Sequence, residues 1–276
     1  MALTRQLPSR ARQCGHDHGS RPDEGARPGG DIDGLARTAG RGETIVGVDA
    51  ADRSQPAFLF DLDGTLVDSV YQHVIAWRDA LEGVGINLPV WKIHRRIGMS
   101  GGLFVNALAR ELDGKLEPEL IAALPGLHVE AFVRRFDSVR PLPGAADLLA
   151  ALTAHGVRWA IATSGRERYA RLSLELLGLP AETPLVTRDQ VRYAKPDPDL
   201  FLTAAERIGA EISASVVVGD SVWDLLAARR ARALGVGLLS GGYGREELIS
   251  SGAYRVYDDP QDLLDHLDEV GVRRPL

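Results

Sequence analysis

Cysteine is almost absent from this chain, and its charge and hydropathy exclude several further classes of protein. A single cysteine, Cys14, among 276 residues cannot form an internal disulfide, so nothing indicates an oxidising compartment. The net charge of −6 argues against a general nucleic-acid-binding protein, which usually carries a basic face. No apolar run is long enough to span a membrane, and the N-terminal residues lack the apolar centre of a secretion signal. These absences predict a cytoplasmic protein that binds neither nucleic acids nor membranes.

Lysine is also scarce, since arginine outnumbers it 29 to 3. Such a ratio is typical of a GC-rich genome rather than of arginine-specific chemistry. It makes each lysine more informative, and Lys195 opens the short sequence Lys195-Pro196-Asp197-Pro198. A lone lysine in a loop is usually a solvated surface residue, so the interpretation of Lys195 depends on the motifs around it.

The first 55 residues differ in composition from the rest. They are rich in Gly, Arg, Asp and Pro, show no helical or strand period, and contain eight arginines and eight acidic residues. Such a segment cannot bury enough apolar surface to offset the entropy lost on ordering. We therefore predict a disordered tail over residues 1–55. Cys14, His16 and His18 could suggest a metal site, but three flexible ligands without a partner cluster are interpreted as chance composition.

The most informative segment is Phe60–Ser69, with the sequence FDLDGTLVDS. The apolar run Phe58–Phe60 that leads into it is typical of a buried parallel strand, which would end at the carboxyl edge of a sheet. Because side chains alternate along a strand, Asp61 and Asp63 would lie on the same side of the chain as it leaves the sheet. Two carboxylates that close are costly unless a cation lies between them or one is protonated. The pair therefore indicates a site.

From Pro143 onward, predicted helices and strands alternate. The strands are predicted at residues 157–162, 185–186, 216–219, 236–239 and 254–257, and the helices at 145–154, 168–177, 199–208, 224–233 and 262–270. Strict alternation predicts an α/β fold, a doubly wound parallel sheet with helices on both faces. Two further motifs, Thr163-Ser164-Gly165 and the segment Gly219–Asp224, each follow a strand. Ligands of such sheets bind beyond the carboxyl ends of the strands, so the motifs are expected to form one site.

Residues 70–138 are predicted to be almost wholly helical. Val70, Val74, Trp77 and Leu81 form one face of a helix that would end at Gly83 or Gly85. Residues 103–112 show a second helical face, and residues 120–132 a third pattern with a break near Pro125-Gly126. The predicted domains are therefore a core of residues 56–69 and 139–276 and an inserted helical domain of residues 70–138.

Together these motifs resemble the four motifs of the haloacid dehalogenase (HAD) superfamily of aspartate-nucleophile phosphotransferases, over roughly residues 56–267. The resemblance implies a Rossmann-like HAD core with an α-helical cap inserted between the first two motifs. It also implies a hydrolase similar to phosphoglycolate phosphatases and to β-phosphoglucomutase-like sugar-phosphate phosphatases. The dehalogenases of the superfamily lack an aspartate at the position of Asp63, so Asp63 favours phosphoryl chemistry.

The resemblance also implies a role for each motif residue. Asp61 would be the nucleophile that forms an aspartyl phosphate, and Asp63 the general acid and base. Mg²⁺ would be the cofactor, since it is a hard cation that prefers oxygen ligands. Its implied ligands are Asp61, the backbone carbonyl of Asp63, and Asp220, with Asp224 either a further ligand or a group that orients the others. The implied phosphate-binding residues are Thr163, Ser164, Gly165 and Lys195.

Substrate selection is expected on the cap. His73 lies one turn past the first motif and could contact Asp63, although a buried structural histidine would fit the pattern equally well. The glycine-rich loop His94–Gly102 carries two arginines that could grip an anionic group. By resemblance this loop faces the Asp61 site when the cap closes. The predicted substrate contacts are His73, Arg96, Gly98 and Ser100.

Three functions stay open at this point. The leading prediction is a phosphatase that acts on a small phosphorylated metabolite. The alternative is a mutase similar to β-phosphoglucomutase, against which stands Thr65, where such mutases usually have Val or Ile. The third, a catalytically silent binding protein on the same fold, is disfavoured because every motif residue is present. The sequence leaves a monomer and a dimer equally open.

Overall fold

The computed structural model describes residues 56–112 and 116–272. The predicted tail over residues 1–55, including Cys14, His16 and His18, lies outside the described residues, as do residues 113–115 and 273–276. Within the described ranges, no helix combines the length and the apolar character that a membrane crossing requires.

One six-stranded parallel sheet forms the centre of the fold. The strands in the described ranges are β1 (Ala57–Phe60), β2 (Val67–Asp68), β3 (Arg140–Pro141), β4 (Arg158–Ala162), β5 (Leu185–Val186), β6 (Val216–Gly219), β7 (Leu234–Leu238) and β8 (Ala253–Tyr257). Across the sheet the order is β5-β4-β1-β6-β7-β8. The chain thus builds the sheet outward from β1 on one side as far as β5 and then returns to the other side of β1 for β6. The predicted doubly wound sheet is confirmed.

Ten α-helices occur in the described ranges. They are α1 (Val70–Glu82), α2 (Val90–His94), α3 (Gly101–Glu111), α4 (Pro118–Val133), α5 (Ala145–Ala154), α6 (Glu167–Leu176), α7 (Asp199–Arg207), α8 (Val222–Ala231), α9 (Arg245–Ser251) and α10 (Pro260–Asp265). Helices α5 to α10 accompany the sheet, and α1 to α4 form the helical cap.

The four buried residues of β1 connect two apolar cores, one on each face of the sheet. Phe58 and Phe60 belong to a core that includes Leu148 of α5. Leu59 belongs to the other core, with Phe201 of α7. Because alternate side chains point to opposite faces, a strand buried on both faces reads as a continuous apolar run. This pattern places β1, and the acidic motif that follows it, in the middle of the molecule.

Two parts of the predicted core were wrong. No helix is predicted between β7 and β8, yet α9 lies there; Leu248 is its one buried residue, so its apolar period is too weak to detect. The predicted closing helix over residues 262–270 is instead α10, which ends at Asp265, followed by a 3₁₀ turn over Leu267–Val270. The other predicted helices and strands of the core agree with the structure to within about two residues, the usual uncertainty of element ends.

The cap helices pack around an apolar core of their own. The predicted face of α1, formed by Val70, Val74, Trp77 and Leu81, is buried there, and the helix ends at Gly83 as expected. A break near Pro125-Gly126 is wrong, because α4 continues through Pro125. Proline removes a backbone hydrogen bond and costs a helix about 3 kcal/mol. The buried side of α4 lies against α1, and this packing offsets the cost.

The two chain segments that join the cap to the core are paired with each other. Strand β2 leads into α1, strand β3 follows α4, and the two run antiparallel, with Val67 opposite Pro141. The amide of Leu142 also donates to the carbonyl of Leu66 at 3.0 Å. The cap therefore leaves and re-enters the core at one place, beside the loop that carries Asp61 and Asp63.

Candidate active site

Asp61 follows β1 directly and is held in the middle of the sheet edge. Its amide donates to the carbonyl of Val218 in β6 at 2.9 Å, and its carboxylate accepts from the ammonium of Lys195. That ammonium also lies 2.8 Å from Oδ1 of Asp224 and 4.8 Å from the ring centroid of Phe201. Lys195 is completely buried. A lysine buried this deeply requires charged partners, and the two aspartates supply them.

Asp63 has a different set of partners. Ser69 Oγ donates to its Oδ1 at 2.7 Å, and His73 Nε2 lies 3.1 Å from the same oxygen. Thr163 Oγ1 donates to Oδ2 at 3.4 Å. Asp61 is thus tied to a lysine of the core, whereas Asp63 is tied to α1 of the cap through His73. The two carboxyls occupy one site but sit in distinct environments.

Asp61 also belongs to a cluster of three carboxylates. Asp61, Asp220 and Asp224 each place an oxygen within 4.8 Å of the others, and all three are buried. Thr65 Oγ1 donates to Asp220 at 3.1 Å and orients that carboxylate. Asp220 stands just before α8, and Asp224 lies in its first turn.

Among the described residues, the charges of the site do not balance. Four carboxylates meet here, and the basic groups that contact them are Lys195 and His73. Buried carboxylates without compensation are strongly disfavoured. Hard oxygen ligands and surplus negative charge are what Mg²⁺ requires, so the residues present fit the predicted cation. Asp220 is the member of the set without a basic partner among the described residues and therefore the best placed to bind it.

Asp224 is already engaged through both of its oxygens. Its Oδ2 accepts from the amide and the hydroxyl of Ser221, at 3.1 and 2.5 Å, in a capping box that begins α8. Its Oδ1 faces Lys195. These contacts favour the second of the two predicted roles, in which Asp224 positions Lys195 and the start of α8.

The environment separates the pKa values of the two central aspartates. Burial raises the pKa of Asp61 to about 7, although Lys195 acts in the opposite direction. Burial also acts to raise the pKa of Asp63, but the charge of His73, with hydrogen bonds from His73 and Ser69, outweighs it and lowers that pKa. Burial and the carboxylates of Asp224 and Asp61 hold the pKa of Asp220 well above its usual value. A cation bound beside Asp61 and Asp220 would favour the charged form of both.

The Thr163-Ser164-Gly165 segment follows β4 and lines the same site. Thr163 Oγ1 accepts from the amide of Gly165 at 2.9 Å, which fixes the turn. Ser164 Oγ is buried without a hydrogen-bond partner among the described residues. An unpartnered buried hydroxyl is costly, so a ligand with acceptor oxygens would stabilise it. This fits the predicted binding of phosphoryl oxygens.

A cavity of about 350 Å³ lies between the core and the cap and contains both Asp61 and Asp63 in its lining. The core contributes Asp61, Asp63, Thr163, Ser164, Gly165, Arg166, Tyr169, Arg188 and Asp189. The cap contributes His73, Trp77, Ile97, Gly98, Met99, Gly101, Gly102, Pro125, His128 and Val129. Ligand cavities in proteins range from about 300 to 1,000 Å³, so this one suits a small molecule.

Two of the four predicted cap contacts, His73 and Gly98, line the cavity. Gly98 has φ +96°, a conformation that favours glycine. A Cβ atom at this position would lie 2.6 Å from Ser221 Oγ and 3.0 Å from the Trp223 ring, so the close approach of the cap loop to the start of α8 also requires glycine.

The other two predicted contacts, Arg96 and Ser100, do not line the cavity. The guanidinium of Arg96 bonds the carboxylate of Glu111 and the carbonyl of Lys92, in a separate groove of the cap. Ser100 is buried at the N-terminus of α3, where its Oγ accepts from the amide of Leu103 at 3.4 Å. A local ion pair and a helix cap therefore occupy the polar groups that the sequence assigns to substrate.

His128 of α4 belongs to the site, although the sequence does not reveal it. Its Nε2 lies 3.1 Å from His73 Nδ1, so the two rings extend a chain of polar groups from Asp63 into the cap. Its ring stacks on Trp77 with centroids 4.3 Å apart. Burial and the charge of His73 hold the pKa of His128 well below its usual value. The signal is weak, since His128 falls on the apolar face of α4 between Leu124 and Phe132.

The cap also contacts the core through a seam, which we define as His94 and Arg95 of the cap against residues 239–247 of the core. His94 Nε2 lies 2.9 Å from the carbonyl oxygen of Gly241. Arg95 pairs with Glu247 at 2.5 Å, and its guanidinium lies 4.3 Å from the ring centroid of Tyr243. The Tyr243 hydroxyl donates to the carbonyl of Arg95 at 3.0 Å.

The same core segment contacts the loop after β1 and the carboxylate of Asp220. Ser240 Oγ donates to the carbonyl of Gly64 at 2.6 Å, between Asp63 and Thr65. Gly241 lies so close to Asp220 that a Cβ atom there would overlap its carboxylate. Residues 239–243 of the seam therefore also lie against the carboxylate cluster.

Comparison with known proteins agrees with this geometry. The model of the haloacid dehalogenase-like hydrolase family matches residues 56–232. Hexitol phosphatase A of Escherichia coli is 36% identical over 167 residues, which cover 59% of this chain and 74% of that protein. Phosphoglycolate phosphatase of Xylella fastidiosa is 34% identical over 209 residues, 73% of this chain and 82% of that one.

A solved structure is also similar. The crystal structure of a hydrolase from Pseudomonas syringae superposes with a TM-score of 0.76 at 52% sequence identity. The match covers 78% of this chain and 99% of that chain. The similarity thus includes both the sheet and the helical insertion described above.

Proposed function

The chain belongs to the haloacid dehalogenase-like hydrolase family, and from that premise we propose that it is a Mg²⁺-dependent phosphatase that hydrolyses a small phosphomonoester through an aspartyl phosphate on Asp61. One observation carries the proposal. Asp61 and Asp63 line the same cavity, yet Asp61 is held by Lys195 of the core and Asp63 by His73 of the cap. A nucleophile and a separate proton carrier need different partners, and because the charge of His73 lowers the pKa of Asp63, the transferable proton belongs to the Asp63–His73 pair.

In the first step, an oxygen of Asp61 attacks phosphorus while the ester P–O bond breaks. The proton held by the Asp63–His73 pair passes through Asp63 to the leaving alkoxide, so an alcohol departs and Asp63 is left as a carboxylate. Lys195 holds the Asp61 carboxylate in place, and Thr163, Ser164 and Gly165 bind phosphoryl oxygens through hydroxyl and amide groups. Developing charge on these oxygens is the main quantity that the site has to neutralise.

In the second step, the Asp63 carboxylate takes a proton from water, whose oxygen attacks phosphorus. The bond between Asp61 and phosphorus breaks, inorganic phosphate leaves, and Asp63 is protonated again. Asp63 accepts contacts from Ser69, His73 and Thr163, and these keep its carboxyl directed at the cavity through both steps. The overall reaction consumes one water and needs no further reactant.

Asp61, the backbone carbonyl of Asp63, and Asp220 are the groups that would hold Mg²⁺. When bound, the ion supplies positive charge to the phosphoryl oxygens and lowers the pKa of the carboxyls that hold it. The support for this assignment is the surplus of buried carboxylates and the absence of a basic partner for Asp220 among the described residues.

A cytoplasmic location stays a prediction from the single cysteine.

The relatives support a small phosphorylated metabolite as substrate. Their names include a hexitol phosphatase and phosphoglycolate phosphatases, and the cavity of about 350 Å³ has room for either class. Phosphate esters of this size are what the proposed enzyme would hydrolyse.

A sugar-phosphate mutase is the second candidate, because the His73–Asp63 contact at 3.1 Å connects the proton carrier to the cap. By the resemblance to the superfamily, such a contact is shared with the mutase branch. A mutase would interconvert two sugar phosphates without net release of inorganic phosphate. A phosphatase releases one phosphate for each ester that is consumed.

The test is a panel of phosphate esters with the wild-type enzyme and with Asp61→Asn, each measured with Mg²⁺ and with excess chelator. We expect the wild type with Mg²⁺ to release stoichiometric phosphate, and Asp61→Asn to lose more than about a thousandfold in kcat because the nucleophile acts as one unit with its partners. Retention of a tenth of the activity by Asp61→Asn would exclude the covalent step. Isomerisation without phosphate release would favour the mutase.

A further inference from the structure

The charged groups around the cavity pair off, with one exception. Asp61 pairs with Lys195, Asp63 faces His73, and Arg166 pairs with Asp189 at 2.9 Å. The remaining charged side chain in the lining is that of Arg188. No carboxylate lies within ion-pair distance of Arg188 in the part of the chain that the structure describes.

The backbone holds Arg188 next to the phosphate-binding segment. Strand β5 ends at Val186, and the amide of Arg188 donates to the carbonyl of Gly165 at 3.0 Å. One guanidinium nitrogen, Nη1, donates to the carbonyl of Val191 at 2.7 Å. This bond fixes the half-buried side chain and leaves the other guanidinium N–H groups for a ligand.

On the basis of the proposed function, we propose that Arg188 binds a second anionic group of the substrate, at the end of the molecule away from the phosphoester. The substrate class is then a small phosphomonoester that also carries a carboxylate or a second phosphate. A guanidinium offers two parallel N–H groups, which match the two oxygens of such a group.

The alternative class, an uncharged polyol phosphate, fits the lining less well. Hydroxyl groups of a polyol need acceptors as well as donors. Asp189 is the carboxylate in the cavity lining outside the catalytic pair, and its two oxygens already accept from Nη1 of Arg166 and from the amide of Glu167. A polyol would also leave the charge of Arg188 without a partner, and a partly desolvated unpaired charge is unfavourable.

The first test compares Arg188→Ala and Arg188→Lys with Arg192→Ala. Arg192 lies four residues along the same loop, is exposed and does not line the cavity, so its removal controls for loss of a loop arginine. The substrates are 2-phosphoglycolate, a bisphosphorylated triose, a hexitol 6-phosphate and p-nitrophenyl phosphate, all with Mg²⁺. The carboxylate and the bisphosphate substrates distinguish the two sources of the second anion.

We expect Arg188→Ala to raise KM for at least one doubly anionic substrate by about tenfold or more, the usual effect of losing a charge-assisted contact. Its kcat for that substrate, and its constants for p-nitrophenyl phosphate and hexitol 6-phosphate, should stay close to the wild type. Arg188→Lys should recover part of the loss because it keeps the charge, and Arg192→Ala should match the wild type.

A second measurement does not depend on turnover of these substrates. Phosphonoacetate and propylphosphonate both carry a phosphonate, but the first has a carboxylate where the second has an ethyl group. As inhibitors of p-nitrophenyl phosphate hydrolysis, phosphonoacetate should bind the wild type more tightly. Arg188→Ala should abolish this preference, and Arg192→Ala should preserve it.

Three results would overturn the proposal for Arg188: a wild type that prefers hexitol phosphate to both doubly anionic substrates, equal losses on all substrates in Arg188→Ala, or an unchanged inhibitor preference. Failure of the proposed function looks different. In that case the folded wild type hydrolyses none of the esters, including p-nitrophenyl phosphate, whatever residue stands at position 188.

Discussion

The two walls of the cavity differ in chemistry. The core wall carries the aspartates, the two arginines and the hydroxyls of Thr163 and Ser164, which stand at or just beyond the ends of parallel strands, and Tyr169 of α6. The cap wall, in its described residues, has two histidines as its ionisable groups and otherwise consists of glycines and apolar side chains. The sheet edge thus supplies most of the charged side chains of the cavity, and the helical insertion supplies mainly glycines and apolar side chains.

This division has a physical basis. Strand ends of a closely packed sheet hold side chains with little freedom, which proton transfer and in-line attack require. Glycines of the cap let backbone approach the core closely, as Gly98 does at Ser221. His73 and His128 are the exception, because they carry polar contacts from Asp63 into the apolar centre of the cap. The following variants test this difference between the two walls.

The largest effect is expected for Asp63→Asn on the core wall. The amide cannot donate or take up a proton, so steady-state turnover of alkyl phosphates should fall by about a thousandfold, within the range for loss of a general acid and base. An aryl phosphate has a good leaving group and should still release one equivalent of phenol in a rapid burst, detected by stopped-flow absorbance. The aspartyl phosphate should then accumulate. Full turnover of alkyl phosphates would place the proton carrier elsewhere.

Removal of Mg²⁺ should also abolish turnover, and Ca²⁺ should inhibit, because its higher coordination number can engage Asp61 through both oxygens. The effect on stability should depend on pH. The pKa of Asp61 is about 7 in the fold against 3.8 for an unperturbed aspartate. The folded state therefore binds more protons than the unfolded state between these values, and this group's contribution to the free energy of unfolding falls as pH rises.

Since the cation needs the ionised carboxylate, the rise in Tm on adding Mg²⁺ should be larger at about pH 8 than at about pH 5.5. Thermal unfolding followed by circular dichroism, with Mg²⁺ and with chelator at both pH values, measures this difference. Asp220→Asn should reduce it. A Tm shift of equal size at the two pH values would contradict the assignment of Asp61 as a ligand.

A smaller effect is expected on the cap wall, from His128→Phe. The substitution keeps an aromatic ring against Trp77 but removes the nitrogen 3.1 Å from His73. His73 then loses the partner that fixes its ring against Asp63, and a lost hydrogen bond of about 1 kcal/mol corresponds to roughly a fivefold to tenfold fall in kcat. KM should change little.

His155→Phe, directly after α5, is the matched control, because His155 is exposed and lies outside the cavity lining. Its kcat should equal that of the wild type. His128→Gln should recover part of the activity, since an amide can again bond to His73. If His128→Phe and the wild type have the same kcat, the second histidine has no part in positioning Asp63.

The smallest effects are expected for the two arginines of the cap loop. The Arg95–Glu247 pair of the seam is about 40% exposed on each side, and such pairs contribute about 1 kcal/mol or less. Arg95→Ala should therefore raise KM by no more than about fivefold. Arg96→Ala, which loses its pair with Glu111 outside the cavity, should leave both steady-state constants unchanged. A tenfold loss of kcat/KM in Arg96→Ala would restore its predicted role at the substrate.

The elements predicted well are those with a strong local pattern. Strand β1 reads as an apolar run because Phe58 and Leu59 enter opposite cores, and α1 reads as a helix because one face is buried along its length. Helix α9 buries one residue and has no such pattern. The continuity of α4 through Pro125 depends on packing against α1, which is a tertiary contact that local propensity does not contain.

The residues of the site also differ in how well the sequence predicts their positions. Asp61, Asp63, Lys195 and Asp220 lie in motifs at strand ends or loops, so their convergence follows from the topology of a parallel sheet. Arg96 and Arg188 look alike in sequence, since each is an arginine in a short connecting segment. Arg188 lines the cavity and Arg96 does not, because their neighbours from elsewhere in the chain differ. Glu111 pairs with Arg96, whereas the carbonyl of Gly165 accepts from the amide of Arg188 and holds it beside the cavity. No local pattern distinguishes them.

Residues 239–243 limit which caps and which substitutions the fold of this enzyme can accept. The segment bonds His94 and Arg95 of the cap on one side and lies against Gly64 and Asp220 on the other. A cap exchanged with a relative would therefore need a compatible version of this segment, although it belongs to another part of the chain. Substitutions at these five positions therefore have to be compatible with His94 and Arg95 of the cap.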